Sequence, residues 1–195
     1  QDVSMQYMLD QLNYPFQAKA LHIGGISGAI LTNIASKLLA KHGTVEGMYS
    51  NEKRYRRSNY LLARSWIKNA KCYLGGLSLT KTYCSYEDYD LVIVTPPNSY
   101  LGQIQRKPDI PLTLTKEDMK TIIAKEKEYL EEASKFVLKD GILVYAVRSV
   151  NLKEGKNIID EFLKKHEDFA LVDSRQIYPY EFNSDGLYYA QIRKL

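Results

Sequence analysis

Residues able to do chemistry cluster in three places in this chain, and each has a plain alternative. A glycine-bearing turn, Gly24-Gly25-Ile26-Ser27-Gly28, follows an apolar stretch at residues 18–23. Such glycines let a backbone approach a bound nucleotide or cofactor, and tight strand-to-helix turns need glycine in any case. His22, near the end of that stretch, has the chemistry of a base or of a buried filler. Residues 91–94 run straight into Thr95-Pro96-Pro97-Asn98 and a polar loop reaching residue 114, and long loops in compact domains are often functional. A basic run, Lys53, Arg54, Arg56 and Arg57, is interleaved with Tyr55 and lies near Tyr60. Cations beside aromatics suit single-stranded nucleic acid, while a solvated helix face is the commoner use of such a run. Cys72 and Cys84 have no metal-ligand spacing, so no metal site is expected. His42 and His166 fall near predicted helix C-termini, where a cation suits the dipole, and no chemistry is assigned to them.

Positioning these residues takes alternating strands and helices. Residues 4–12 read as a helix, 18–23 as a strand, and 29–41 as a helix with Ile30, Ile34, Leu38 and Leu39 inward and Gly43 as its stop. A strand at 44–48 precedes a helix at 51–69 with Ser50 as N-cap. Residues 71–74 form a weak strand and 91–94 a buried one. Thr115 caps a helix at 116–138. Asp140-Gly141 turns into a strand at 142–146, followed by a helix over Lys156–Lys165. Strands at 169–173 and 187–193 close the sheet, the last alternating and expected to run antiparallel. This order predicts a three-layer α/β sandwich of Rossmann-like topology, in which ligands bind at the carboxyl ends of the strands.

The 195 residues suit one domain, 1–195, and 45% apolar with 26% charged residues is ordinary for a globular chain. No apolar run reaches the roughly 18 residues that a membrane span needs, so no membrane is expected as a partner. The formal net charge of +4 is compatible with an RNA partner. Two thiols in a lysine-rich chain suggest a reducing, intracellular compartment, without separating nucleus or nucleolus, mitochondrion and cytoplasm. The opening Gln1-Asp2-Val3-Ser4 lacks a methionine and is neither basic nor a signal peptide, so an N-terminal region is expected to be missing.

Five segments, in order, resemble the NOL1/NOP2/Sun family of RNA cytosine-5 methyltransferases. Residues 1–5 are similar to the family's QDPSSM-like opening, and residues 22–30 sit where it has DLCAAPGGK. Residues 102–109 are similar to GxxRRHPD, 143–150 to LVYATCSV and 185–190 to DGFFYA. The resemblance covers nearly the whole chain and implies a class I methyltransferase fold: a mostly parallel sheet with an antiparallel C-terminal strand and helices on both faces. It also implies S-adenosylmethionine as cofactor and an RNA substrate.

The departures from that pattern fall on the chemistry. The family's DAPCSGTG cysteine is matched by Asn98. Its nucleophilic cysteine, which adds to C6 of cytosine, is matched by Arg148. An amide is no thiolate, and a guanidinium stays protonated near neutral pH. Of the cofactor positions, the first-strand acid becomes His22 and the loop lysine becomes Ile30. The ribose-binding acid becomes Met48, the adenine-side acid Leu77, and the acid before the family's PC pair Thr95. Gly24 and Gly28 remain. Vicinal hydroxyls are held best by carboxylates, so this pocket is degenerate and no cofactor is expected. Thr95-Pro96-Pro97-Asn98 is also similar to the [DNS]PP[YFW] motif of amino-methyltransferases, but the flanking residues are wrong at both ends. Arg106 and Lys107 lie on the loop that the resemblance assigns to the substrate side.

Three functions are therefore open. The first is a catalytically inactive methyltransferase-like domain that binds RNA (rRNA or tRNA) or docks a protein, in ribosome or ribonucleoprotein assembly. Its RNA-binding candidates are Arg106, Lys107, Arg148, Lys53, Arg54, Arg56 and Arg57. The second is a divergent but active S-adenosylmethionine-dependent RNA (cytosine-5) methyltransferase. The third is a structural subunit that contacts only protein. In the first and third readings no residue is catalytic.

Overall fold

A computed structural model describes residues 2–24 and 28–195. In chain order the elements are α1 (Val3–Gln11), β1 (Lys19–Ile23), α2 (Gly28–Leu39), β2 (Thr44–Tyr49), α3 (Glu52–Arg64), β3 (Ala70–Leu74) and α4 (Thr80–Tyr83). There follow β4 (Tyr89–Val94), α5 (Ile110–Thr113), α6 (Lys116–Ser134), β5 (Val137–Val147), α7 (Lys156–Lys165), β6 (Phe169–Ile177), α8 (Pro179–Phe182) and β7 (Leu187–Lys194). The strands make one seven-stranded sheet in the order β3-β2-β1-β4-β5-β7-β6. The first five lie parallel to their neighbours, and β7 runs antiparallel to both β5 and β6. This is the doubly wound sheet with an antiparallel C-terminal strand that the sequence predicts.

Two apolar cores flank the sheet because successive strand residues point to opposite faces. Leu91 and Ile93 join α1 and α2 on one face, while Val92 and Val94 join α6 and α7 on the other. The strand order reverses between β1 and β4. Loops leaving their carboxyl ends go to opposite sides and open the crevice where such sheets bind ligands.

Several boundaries differ from the sequence reading. The N-cap of α3 is Asn51 rather than Ser50, its side chain accepting from the Arg54 N–H at 3.2 Å. That helix stops at Arg64 rather than Asn69, because Trp66 turns left-handed at φ 56° and the Ile67 N–H closes on the Leu62 carbonyl. Helix α6 ends four residues early, since Val137 leaves to pair with Tyr89 and begins a longer β5. The start of α6 is as expected: Thr115 and Asp118 bond reciprocally in a capping box. Among the described residues no helix is long and apolar enough to cross a membrane.

Candidate functional site

At the crevice the backbone of β1 meets the loop after β4. The Thr95 N–H donates to the Ile23 carbonyl at 2.9 Å. Gly24 takes φ 88°, and a Cβ there would stand 2.3 Å from the Thr95 carbonyl oxygen, so this position requires glycine. Gly28, at the start of α2, lies so close to Ser58 of α3 that a Cβ would meet its Cα at 2.7 Å. The intervening residues 25–27 of the expected cofactor turn lie outside the described residues. His22 is fully buried, with Nε2 3.0 Å from the Thr95 hydroxyl, and Nδ1 has no partner among the described residues. Burial lowers its pKa to about 4, so the ring is neutral at pH 7.

The cofactor that the resemblance implies needs acids at these strand ends. Met48, at the end of β2, is fully buried in the apolar core on the α6 face, and half-buried Leu77 packs against the same core. Ile30 is buried in the opposite core. The side chains at the ends of β1, β2 and β4 thus include no carboxylate for ribose hydroxyls, and they do not fit S-adenosylmethionine in the family's manner.

Beyond the crevice, β4 and β5 are adjacent parallel strands, with Val94 level with Tyr145. Asn98 follows β4 and Arg148 follows β5. The Asn98 side chain is buried, donating to the Pro96 carbonyl at 3.1 Å and accepting from the Tyr100 N–H at 3.0 Å. It therefore shapes its own loop as a turn-forming amide. Arg148 is half-buried and makes no ion pair among the described residues, while its carbonyl accepts from the Gly102 N–H at 3.0 Å. The Gly102 carbonyl in turn accepts from the Gly186 N–H at 2.7 Å. The segments that resemble GxxRRHPD, LVYATCSV and DGFFYA are thus stitched together by backbone.

The seven candidate cations have unequal surroundings. Arg106 is held by two buried carboxylates, 2.7 Å from Asp2 and 2.9 Å from Asp185. Asp185 also accepts from the Gln103 amide at 2.7 Å. Arg106, an RNA-binding candidate from the sequence, thus has two acidic partners within the fold while its side chain stays exposed. Lys107 lies 5.4 Å from the centre of the Tyr100 ring and is otherwise exposed. On α3, Lys53 and Arg57 are exposed, and Arg56 pairs with Glu52 at 2.6 Å. Arg54 is half-buried and close enough to Tyr129 of α6 to oppose the rise that burial imposes on that phenol's pKa. Because α3 starts just after β2, this run lies at the same edge of the sheet as the β4 and β5 loops.

Sequence reasoning missed two glutamates at this edge. Glu154, in the turn between β5 and α7, is fully buried and gathers the Ser99 and Ser149 hydroxyls. Glu126 is fully buried on α6. Its position was readable, since it lies three residues after Ile123 and four before Leu130 on the helix's inner face. Neither thiol supplies a nucleophile to the loops. Burial raises Cys72 to about 12 and Cys84 to about 11, and two strands separate Cys72 from β4. Among the described residues no group of three His, Cys, Asp or Glu could hold a metal ion.

Comparison with known proteins agrees with this architecture. The ribosomal RNA small subunit methyltransferase B of Serratia proteamaculans is 26% identical over 202 residues, covering all of this chain and 46% of its own length. The chain thus spans about half the length of such relatives. Among solved structures, PH0851 superposes with a TM-score of 0.92 at 21% identity, covering all of this chain and 46% of its own. NSun6 from Pyrococcus horikoshii, solved with SFG, gives 0.86 at 18% identity, over all of this chain and 52% of its own. Residues 21–193 match the family described as 16S rRNA methyltransferase RsmB/F, and the chain belongs to that NOL1/NOP2/Sun family.

Proposed function

We propose that this chain is a non-catalytic member of its family that keeps the methyltransferase fold to bind structured RNA, in the assembly of a ribosome or another ribonucleoprotein. The observation that carries the reading is the use of the two cysteine-equivalent side chains. Asn98 is buried as a loop-shaping amide, and Arg148 is a cation with no ion-pair partner among the described residues. Neither can add to a pyrimidine, whereas a guanidinium at the mouth of a former base site suits a phosphate. The apolar Met48 and neutral His22 support the loss of cofactor binding. Lys107, Arg148, Lys53 and Arg57 are the contacts this reading favours. Arg106 is a bracing residue in it, and Arg54 and Arg56 have partners of their own.

The test has two arms. Calorimetric titration of S-adenosylmethionine should give no binding in the micromolar range, and binding there would restore the active-enzyme reading. RNA binding should fall steeply with salt. Combining Lys53→Glu, Arg57→Glu and Lys107→Glu should lower affinity at least tenfold and flatten the salt slope by about one for each phosphate no longer neutralised. A wild type that binds no structured RNA at low salt would shift the reading to a protein-docking subunit.

A further inference from the structure

The two buried glutamates share a feature that neither explains alone. The Glu154 carboxylate accepts from the Ser99 N–H at 2.8 Å, the Ser99 hydroxyl at 2.7 Å and the Ser149 hydroxyl at 2.6 Å. It is thereby the tie between the loop after β4 and the loop after β5. Both oxygens of the fully buried Glu126 lack any donor among the described residues. The group facing Glu126 is the Glu154 carboxyl, which, after burial, is the main cause of the rise of its pKa to about 10. The donors nearby are already committed. The Tyr145 hydroxyl of β5, which faces both carboxyls, donates to the Glu154 backbone carbonyl at 2.7 Å. The Ser99 and Ser149 hydroxyl protons go to Glu154. Lys127, next to Glu126 on α6, turns away to Glu161 at 2.5 Å. Tyr188 of β7 also lies near Tyr145 and brings no positive charge.

Two ionised, fully buried carboxylates facing each other repel, whereas one proton between them makes a donor and an acceptor. We propose that Glu126 is a positioning residue that carries this proton at neutral pH and donates it to Glu154, so that a shared proton fixes the loop of residues 95–103. Ionising Glu126 places a second negative charge against the anchor of Ser99 and loosens the loop. The consequence for RNA, a loss of affinity at alkaline pH, rests on the proposed function. The proton itself does not.

The experiment is urea unfolding of the whole chain from pH 5 to 9, wild type against Glu126→Gln. The amide has the same shape and a permanent N–H donor. A carboxyl whose pKa is raised on folding contributes stability that is lost as pH climbs from the unfolded value toward the folded one. The ratio of folding constants, Gln variant over wild type, should therefore grow about tenfold per pH unit across this range, and other titrating groups cancel in it. A ratio independent of pH overturns the proposal. Infrared difference spectra give a second reading should the variant fail to fold. Wild type at pH 7 should show the carbonyl band of a protonated buried carboxylic acid, and its absence overturns the proposal equally. If the ratio grows as expected but no RNA binds at any pH, the proton stands and the RNA reading falls.

Discussion

Gly102→Ala concentrates the loop's geometry into a single methyl group. A Cβ at Gly102 would lie 2.0 Å from the Gly186 carbonyl oxygen, 2.8 Å from its carbon and 2.9 Å from the Arg148 carbonyl carbon. All three atoms are backbone, so no side chain can swing aside. Restoring ordinary contact requires one segment to retreat by more than about an ångström, given optimal separations near 3.5 Å. That movement breaks or stretches the Gly102-to-Arg148 and Gly186-to-Gly102 hydrogen bonds. Each is worth about 0.5–1.5 kcal/mol, and overpacking adds about 1–3 kcal/mol, so together the loss is about 2–6 kcal/mol. Against a total stability of roughly 5–15 kcal/mol this is severe. Urea denaturation with linear extrapolation measures it, provided the slope is unchanged. Gly47→Ala is the internal comparison, because its nearest neighbours are the Leu31 methyls at 3.0 Å and the Tyr49 ring at 3.2 Å, which can adjust. A Gly102→Ala cost below about 1 kcal/mol, or one equal to that of Gly47→Ala, would refute the close three-way contact.

Three other outcomes are expected. Since burial holds His22 near pKa 4 against an ordinary 6.5, the folded state refuses a proton that the unfolded chain accepts, and stability should fall as pH drops from about 6.5 toward 4. Thermal melts across that range should show this acid limb, and His22→Gln should flatten it. Arg106→Ala should destabilise by about 1–3 kcal/mol in urea unfolding, because it strips a partner from buried Asp2 and Asp185, and an unchanged midpoint would show that the clasp is idle. With their pKa values raised by burial, Cys72 and Cys84 should react with a thiol reagent at pH 8 far more slowly than in urea, and equal rates would contradict their burial.

The sequence displayed its fold through local signals that tertiary contacts left alone. Residues 91–94, the glycine at 24 and the Thr115 cap each sit where their types direct. The end of α6 was hidden because apolar residues continue past Ser134 at helical spacing, and only pairing with Tyr89 pulls Val137 into a strand. The end of α3 was hidden because Trp66, not a glycine, adopts the left-handed turn. At the site, the substitutions at Asn98 and Arg148 were legible from the resemblance, but their uses were not. That Asn98 folds back on Pro96, and that Arg106 closes on acids 104 residues earlier and 79 later in the chain, are facts of long-range approach. The Glu126–Glu154 pair was equally out of reach: one acid on an inner helix face is visible in a sequence, and its partner 28 positions later is not.

The place of β7 between β5 and β6 also bears on how the chain is made. During synthesis β5 and β6 leave the ribosome first, and neither can pair with the other, because the strand that joins them comes last. Until it inserts, β6 has no hydrogen-bonded neighbour among the described residues, and its apolar first half, with Leu171 and Val172 exposed, has both edges bare. Such strands recruit the wrong partners. The interval between translating β6 and seating β7 is then the time of greatest exposure to aggregation. Arresting the chain with β6 outside the ribosome and β7 still inside it should be harmful, and release of β7 should end the hazard.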